Sequence, residues 1–310
     1  MEIKSFYVQE SDSGLRLDRL FYRCLENFSY RFVNKLIRKG QIRINGKRVK
    51  NYTRVSPGEF VKVPMCINNN NTPKVTSTLP VNFRDSHKKL MSNKIYEDTN
   101  IIAFNKPSGL CVQDGTKVSI SVDRILKIVL EGSHIVHRLD KETTGLLMVA
   151  KSHAAAASVS KLFREKKISK TYVAILSAIP KILSGSVKSP VEREDTNNTE
   201  ESYAETKYKI IAQSEDNLCI VLFQPLTGKK HQLRQHALAL EAPIMGDTKY
   251  YSCTDLKRKK RSDFLYLHAC KMIFNLDNKL YNLSAPLPQH FHDVIEKHFP
   301  DFKTLLDYSL

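Results

Sequence analysis

Several ionisable side chains stand together in the segment HIVHRLDKETTGLLMVAKS, which runs from His134 to Ser152. Apolar sequence on both sides of the charged stretch is typical of two strands joined by a loop. A carboxylate in that loop, at Asp140, would be held between rigid flanks and could act as a nucleophile or a base. Asp is also common in turns, so these residues alone leave a purely structural aspartate open.

Other kinds of chemistry find little support in the sequence. A P-loop would need a glycine five residues before Gly228, but Phe223 stands there, and no G-x-G-x-x-G motif occurs. His231 and His236 are five residues apart, a spacing that does not place both on one helical face for a metal ion. The six cysteines include no C-x-x-C pair, and no G-x-S-x-G motif is present. We therefore expect no metal, nucleotide or redox cofactor.

The charge of the chain points to a polyanionic partner. Its 310 residues have a formal net charge of +17 and a pI near 9.5, and nucleic acid is the commonest partner of such proteins. The N-terminus has no apolar signal segment, no apolar run reaches transmembrane length, and the scattered cysteines are typical of reduced thiols. These features predict a cytoplasmic protein without a membrane partner, and we expect a monomer.

The sequence pattern over residues 1–64 predicts a small basic domain. Apolar residues at helical spacing indicate two helices, the second begun by Ser29 and ended by Gly40. Asn45 and Gly46 indicate a hairpin turn between two short strands, and one more strand follows. The predicted order is therefore helix, helix, hairpin and strand.

Basic residues are concentrated in this first domain. Between Arg16 and Arg54 there are 12 basic residues and 2 acidic ones. Such a surface can neutralise phosphates, although an ordinary solvated face is the alternative. The stretch resembles, over about residues 14–64, the RNA-binding domain first named from ribosomal protein S-four. The residues expected to contact RNA are Arg16, Arg19, Arg31, Lys35, Arg38, Lys39, Arg43, Lys47 and Arg48.

A connector and a larger domain follow. CINNNNTPKVTSTLP is rich in asparagine and proline, which predicts a flexible linker over residues 65–93 and a second domain over residues 94–310. Strands outnumber helices and no βαβ alternation appears, so we predict an α+β fold with a mostly antiparallel mixed sheet. The predicted strands are 101–104, 134–139, 146–151, SKTYVAILS, NLCIVLFQPL and LYLHACKMIF, and the predicted helices are 121–130, 152–163 and HQLRQHALAL.

Five blocks of the second domain resemble, in order, those of the RluA family of pseudouridine synthases. HRLDKETTGLLMVAKS is similar to the family signature H-R-L-D-x-x-T-S-G-L. NKPSGLCVQ precedes it, and KTYVAIL, PLTGKKHQLRQHALALEAPIMGDTKY and LHACKMIF follow it, spanning about residues 95–290. The RluC-type members, which modify large-subunit ribosomal RNA, are the most similar. The resemblance implies isomerisation of uridines to pseudouridine in 23S ribosomal RNA, without a cofactor.

The same resemblance implies a set of site residues. Asp140 matches the family's catalytic aspartate, Tyr172 matches the tyrosine that packs against the target base, and Arg234 matches the basic residue that pairs with the aspartate. The loop-shaping positions are matched by His137, Arg138, Leu139, Thr143 and Gly145.

Three residues depart from the family pattern. Thr144 replaces a serine, Gln235 replaces a small or apolar residue, and Lys229 replaces an arginine, which loses a bidentate fork.

Two other functions stay open, namely the same reaction on transfer RNA and a non-catalytic RNA-binding factor in ribosome assembly. A second basic run, LKRKKR at residues 256–261, either contacts RNA or forms a solvated loop.

Overall fold

The computed structural model describes residues 3–17, 20–21, 30–64, 83–114, 118, 120–191, 202–250 and 263–302. The chain forms two compact units, residues 1–79 and residues 80–310. Each unit has its own buried apolar core. None of the helices in the described ranges is long and apolar enough to cross a membrane.

The first unit is a four-stranded antiparallel sheet with one described α-helix. Asn45 and Gly46 have φ values of 48° and 77°, as a tight hairpin turn requires. The helix ends at Gly40, whose φ is 69°, and the Gln41 N–H donates to the Leu36 carbonyl oxygen. The predicted hairpin and helix end are confirmed, whereas β1 was not predicted and most of the first predicted helix lies outside the described residues. The elements are β1 (Ile3–Tyr7), α1 (Tyr30–Arg38), β2 (Arg43–Ile44), β3 (Lys47–Arg48) and β4 (Phe60–Pro64), with the strands in the order β1-β4-β2-β3.

A helix, α2 (Phe83–Ser92), lies near the start of the second unit. Phe83 and Leu90 are buried in one core cluster with Phe104 and Leu146. The predicted linker over residues 65–93 was therefore wrong from Phe83 onward, because two apolar side chains seven positions apart give this charged segment a buried face. Residues 65–82 lie outside the described part of the chain.

One ten-stranded sheet organises the second unit. Its main path runs β10-β11-β12-β9-β13-β8-β6-β5, while β14 pairs with β13 and β7 pairs with β8. The β8–β13 pair is parallel and the other described pairs are antiparallel, which confirms the predicted α+β class. The strands are β5 (Lys94–Glu97), β6 (Ile101–Lys106), β7 (His134–Ile135), β8 (Thr144–Ala150), β9 (Ser169–Leu176), β10 (Ser184–Val191), β11 (Ser202–Gln213), β12 (Cys219–Pro225), β13 (Leu267–Leu276) and β14 (Lys279–Ser284).

Four further α-helices are described in this unit. They are α3 (Val122–Val129), α4 (His153–Arg164), α5 (Gln232–Ala239) and α6 (Gln289–His298). Ser121 and Ser152 cap α3 and α4 by accepting hydrogen bonds from the N–H groups of Arg124 and Ala155, both at 3.1 Å. The helices predicted over residues 121–130 and 152–163 are confirmed, the second with the predicted cap at Ser152.

The strand predicted over residues 134–139 is shorter in the structure. It ends after Ile135, because the next backbone donor on β8, the Met148 N–H, donates to the His137 ring rather than to a main-chain oxygen. The chain then leaves the sheet and forms the loop that carries Asp140.

Candidate active site

A cleft of about 1320 Å³ opens in the second unit. Its walls are the loop between β7 and β8, strand β9, the turn after α4 and the loop that leads into α5. Gly145 lies in β8 and does not line the cleft. The other residues predicted for the site all line it, namely Asp140, Tyr172, Arg234, His137, Arg138, Leu139 and Thr143.

Asp140 presents an accessible carboxylate to this cleft. Its side chain is 20% exposed, and its carbonyl oxygen accepts a hydrogen bond from the Thr143 N–H at 3.2 Å. Among the described residues, His231 has the one basic side chain within 4.0 Å, with its Nε2 atom 3.8 Å from Asp140 Oδ1. That distance is too long for a hydrogen bond, so the carboxylate keeps acceptor capacity for a substrate.

Lys106 fixes the backbone of the Asp140 loop and was not predicted for the site. Its side chain is fully buried, and Nζ donates to the carbonyl oxygens of Pro107, Leu110 and Lys141 at 2.9, 3.0 and 3.0 Å. Burial lowers the pKa of Lys106 to about 7, against the opposing effect of nearby negative charge. The available signal was a lysine at the end of β6, two positions after its apolar run.

Tyr172 lies on the wall of the cleft in β9. It is paired with Phe223 of β12 and with Ala269 of β13, so sheet neighbours on both sides fix its backbone. Burial, followed by the negative charge of Asp140, raises the pKa of Tyr172 above its ordinary value. The residue is therefore a neutral phenol in any ordinary buffer, and it can offer a ring face or a hydroxyl donor.

Arg234 pairs with Asp247 and not directly with Asp140. Its Nε and one terminal nitrogen each donate to an Asp247 oxygen at 2.6 Å, and the Asp247 side chain is fully buried. The predicted Arg234–Asp140 pair was thus wrong as a direct contact, because Asp247 engages two of the three guanidinium nitrogens and fixes the side chain there. Burial by itself would lower the pKa of Arg234. The hydrogen bonds to Asp247, together with the negative charges of Asp247 and Asp140, outweigh that effect, so the pKa is raised.

His231 stands beside Asp140 at the start of α5 and was considered only as a metal ligand. Its backbone is left-handed, with φ 54° and ψ 21°, and its Nδ1 atom lies 2.9 Å from the Tyr250 hydroxyl. The Tyr250 hydroxyl also accepts a hydrogen bond from Gln235 Nε2 at 3.2 Å. The described residues contain no cluster of three or more groups that could hold a metal ion.

Two of the predicted loop-shaping residues make specific contacts. His137 Nε2 accepts the Met148 N–H at 2.9 Å, and burial followed by the charge of Lys170 lowers the pKa of His137 to about 3. Its ring is therefore neutral and fixed beneath the loop. Gly145 has a φ of 105°, and a Cβ there would lie 2.3 Å from the Ala269 carbonyl oxygen on β13. The parallel β8–β13 pair can form only because Gly145 has no side chain.

The three remaining loop residues have different environments. Leu139 is buried in the core, and Arg138 is exposed at the cleft. The Thr143 hydroxyl is buried and has no hydrogen-bond partner within the described ranges. Of the departures from the family pattern, Thr144 bonds the buried His268 ring at 2.8 Å, and Lys229 lines the cleft.

The cleft is strongly basic. Its lining contains two acidic residues, Asp140 and Glu205, against nine lysines and arginines. Lys170 is mostly buried, and that burial lowers its pKa. A lining of this composition suits a phosphate backbone. The basic lining residues are Arg138, Arg164, Lys166, Lys167, Lys170, Lys207, Lys229, Lys230 and Arg234.

The first unit carries its own exposed basic residues. Arg19 and the Arg31 side chain lie outside the described part, as does the LKRKKR run. Arg43 is held in place by donating to the carbonyl oxygens of Gly40 and Gly46 at 3.1 and 3.0 Å. The seven predicted RNA-contact residues whose side chains are described are all solvent-exposed, namely Arg16, Lys35, Arg38, Lys39, Arg43, Lys47 and Arg48.

Comparison with known proteins identifies the family. The model of the RNA pseudouridylate synthase family matches residues 100–239, and the S4 domain model matches residues 15–61. The "Ribosomal large subunit pseudouridine synthase C" of Rickettsia bellii (strain RML369-C) is 36% identical over 297 residues, which cover 90% of this chain and 96% of that protein. The chain belongs to the RNA pseudouridine synthase family. It is therefore an isomerase with an S4 RNA-binding domain.

Further members of the family show how far this likeness extends. The protein of the same name from Vibrio vulnificus (strain CMCP6) is 28% identical over 304 residues, covering 93% of this chain and 94% of that protein. The solved structure of human RNA Pseudouridylate Synthase Domain Containing 4 superposes with a TM-score of 0.61 at 30% identity, covering 71% of this chain and 97% of that one. Pseudouridine synthases therefore share the fold of the second unit.

Proposed function

We propose that this pseudouridine synthase modifies uridines of large-subunit (23S) ribosomal RNA and that Asp140 is its catalytic residue. The observation that carries the catalytic assignment is the placement of Asp140 as an accessible carboxylate in a basic cleft. The substrate assignment rests on the names of the bacterial relatives, which match nearly the whole chain.

The chemistry needs one carboxylate and no added reagent. The bond from C1′ of the ribose to N1 of uracil breaks, the base turns, C5 joins C1′, and the C5 proton is released while N1 gains one. Atoms and electrons balance within the nucleotide and solvent, so the reaction is an isomerisation. An ionised Asp140 can serve either by attack at C1′ or by removing a ribose proton.

The target base must leave its stack to reach Asp140. Extrusion costs a few kcal/mol in a duplex and less in a loop. In this proposal the Tyr172 ring stacks on the uracil, and the basic lining residues bind the flanking phosphates. Arg234, fixed by Asp247, contributes positive charge near Asp140.

The division of labour between the units is part of the proposal. Residues 1–64 form the RNA-binding unit, and the synthase unit begins at the first residues of α2 rather than at residue 94. The exposed lysines and arginines of the first unit would then bind RNA outside the cleft. A cytoplasmic location and a monomeric state stay predictions.

Mapping of pseudouridines in ribosomal and transfer RNA from cells that lack the protein tests this proposal. We expect specific sites in large-subunit ribosomal RNA to lose the modification, and the wild-type chain to restore it. Asp140→Asn should restore none, whereas the matched control Asp123→Asn, at a partly exposed position of α3 outside the cleft, should restore all.

Three outcomes would contradict separate parts of the proposal. Loss of sites in transfer RNA alone would refute the ribosomal substrate. An unchanged map in both RNAs would favour a non-catalytic assembly factor. Restoration by Asp140→Asn would refute the catalytic assignment.

A further inference from the structure

We infer that His231 is a positioning residue for Asp140, oriented by the hydroxyl of Tyr250. The inference rests on the proposed role of Asp140 and extends it to a hydrogen-bonded chain that runs from Gln235 through Tyr250 and His231 to the carboxylate. Neither the sequence patterns nor the family comparison assigns a role to His231 or Tyr250.

We assign the direction of the hydrogen bonds from the donor that Gln235 supplies. Gln235 Nε2 donates to the Tyr250 oxygen at 3.2 Å, so that oxygen already accepts one bond. The Tyr250 proton can then go to His231 Nδ1, which lies 2.9 Å away. A neutral ring that accepts at Nδ1 has its proton on Nε2. Nε2 is the atom that lies 3.8 Å from Asp140 Oδ1.

His231 is neutral in this arrangement. Burial lowers the pKa of His231, and the positive charges of Arg234, Lys249 and Lys230 lower it further. The negative charge of Asp140 acts in the opposite direction, but the pKa remains lowered. A neutral ring can orient the carboxylate by donating one N–H without neutralising it. Hydrogen bonds that act in catalysis are often long before the substrate is bound and shorten in the complex. A shift of less than about 1 Å brings the pair into bonding distance.

The Asp140 carboxylate needs such a contact. Lys106 and the Thr143 N–H fix the loop through main-chain oxygens, and neither reaches the carboxylate. Within the described residues the carboxylate receives no hydrogen bond, so its rotamer is set by packing alone. Catalytic groups have to be held within about 0.5 Å of the productive geometry. His231 is the neighbour placed to supply that restraint.

The backbone around His231 is built to hold the ring in place. A helix normally starts from an extended residue, but His231 adopts a left-handed conformation there, which a side chain disfavours. Gln232 secures the turn: its Oε1 accepts from the Lys229 N–H and the Thr227 hydroxyl, and its Nε2 donates to the Thr206 hydroxyl. Strain that the surroundings enforce in this way is frequent at functional sites.

Steady-state kinetics on an RNA substrate of the full-length protein tests the inference. We expect His231→Ala to lower kcat by roughly 10- to 100-fold, because small errors of position are costly, and to leave KM for RNA within about threefold. His231→Gln should recover most of the loss, since its amide nitrogen reaches the region of Nε2. Tyr250→Phe should lower kcat by about three- to tenfold through a loosened ring.

Matched controls separate this role from general damage. His298→Gln alters a histidine that faces Asp216 outside the cleft, and Tyr208→Phe removes a hydroxyl that bonds the Ile182 carbonyl oxygen. Both controls should keep wild-type kcat. If His231→Ala does not fold, the two conservative variants at His231 and Tyr250 decide the question.

The possible results distinguish this inference from the proposed function. Wild-type kcat in His231→Ala, beside an inactive Asp140→Asn, would overturn the inference alone. A failure of His231→Gln to exceed His231→Ala would also overturn it. Full activity of Asp140→Asn would instead overturn the catalytic assignment on which the inference rests.

Discussion

Lys106 Nζ lies 3.0 Å from the carbonyl oxygen of Lys141, the residue that follows Asp140. The two residues are 35 positions apart in the chain. A fully buried lysine side chain thus ties the end of β6 to the Asp140 loop, and the same nitrogen donates to the carbonyl oxygens of Pro107 and Leu110. The backbone of the Asp140 loop is therefore held by a buried lysine that does not line the cleft.

Lys106→Met should therefore impair both activity and stability. The methionine keeps much of the volume but removes the Lys106 donor from the Pro107 and Leu110 carbonyl oxygens, and it leaves the Lys141 oxygen with the Gly109 N–H alone. Each unsatisfied buried group costs about 1–3 kcal/mol. We expect a lower urea midpoint and a reduced kcat, with RNA affinity largely retained. Lys88→Met, at an exposed position of α2, is the control and should change neither quantity. Wild-type kcat in a folded Lys106→Met protein would show that the loop is fixed by other contacts.

Tyr172 should act mainly through its ring. Stacking of a base on an aromatic side chain contributes on the order of 1–3 kcal/mol, so Tyr172→Ala should lose a corresponding part of kcat/KM. Tyr172→Phe keeps the stacking face and should lose less. Steady-state kinetics of the two variants gives the comparison, and equal losses would assign the effect to the hydroxyl instead.

The buried Arg234–Asp247 pair should be a major source of stability. Removing one member of such a pair leaves an uncompensated charge, and Asp247→Asn should lower the free energy of unfolding by about 3–5 kcal/mol. Activity should fall as well, because Arg234 loses its fixed orientation beside Asp140. The surface pair Lys127–Asp123, in which the lysine is exposed and the aspartate partly exposed, provides the control, since Asp123→Asn should change stability by less than about 1 kcal/mol. Urea unfolding of both variants measures the difference.

Binding of RNA should depend on salt through the exposed basic residues of the first unit. The triple change Lys35→Ala, Arg38→Ala and Lys47→Ala should weaken binding and lower the slope of log affinity against log salt by about 0.7–0.9 for each phosphate that is no longer neutralised. Lys88→Ala, Lys127→Ala and Lys297→Ala remove the same charge from exposed sites outside the cleft. A slope that is equal in both triple variants would mean that the first unit does not bind the RNA.

Stability should fall at mildly acidic pH because of buried histidines. Burial lowers the pKa of His268 to about 4, below its ordinary value of 6.5, while its ring bonds Thr144 and the Ala285 carbonyl oxygen. The unfolded chain therefore takes up a proton first as the pH falls. The contribution of neutral His268 is complete above pH 6.5 and is lost as the pH approaches 4, on the order of 3 kcal/mol. Urea unfolding of His268→Gln from pH 7 to 4 should show a weaker pH dependence than the wild type.

Local signals predicted much of the fold. Asn45-Gly46 and Ser152 marked a turn and a helix start because each acts on backbone groups a few residues away. The apolar runs of β6, β8 and β12 were equally clear. By contrast, β10 contains Gly185 and Pro190, which argue against a strand, and it forms because it lies at the edge of the sheet.

The sequence predicted the site residues that belong to recognisable motifs, but not the tertiary contacts between them. The position of Asp140 between two apolar segments could be read directly, and the resemblance added Tyr172. Asp247 as the partner of Arg234 depends on a tertiary contact that no spacing rule encodes. The environment of His231 likewise depends on a left-handed residue and on Tyr250, which lies 19 positions further along the chain.

The absence of a side chain at Gly145 has a consequence for the cleft as a whole. Asp140 precedes β8 and Tyr172 lies on β9, and these two strands are joined through β13, where a Cβ at Gly145 would collide with Ala269. The spacing between β8, which follows Asp140, and β9, which carries Tyr172, is thus set by direct contact between backbones. A change of side-chain rotamer leaves this spacing unchanged, so the two strands that flank the cleft keep their separation.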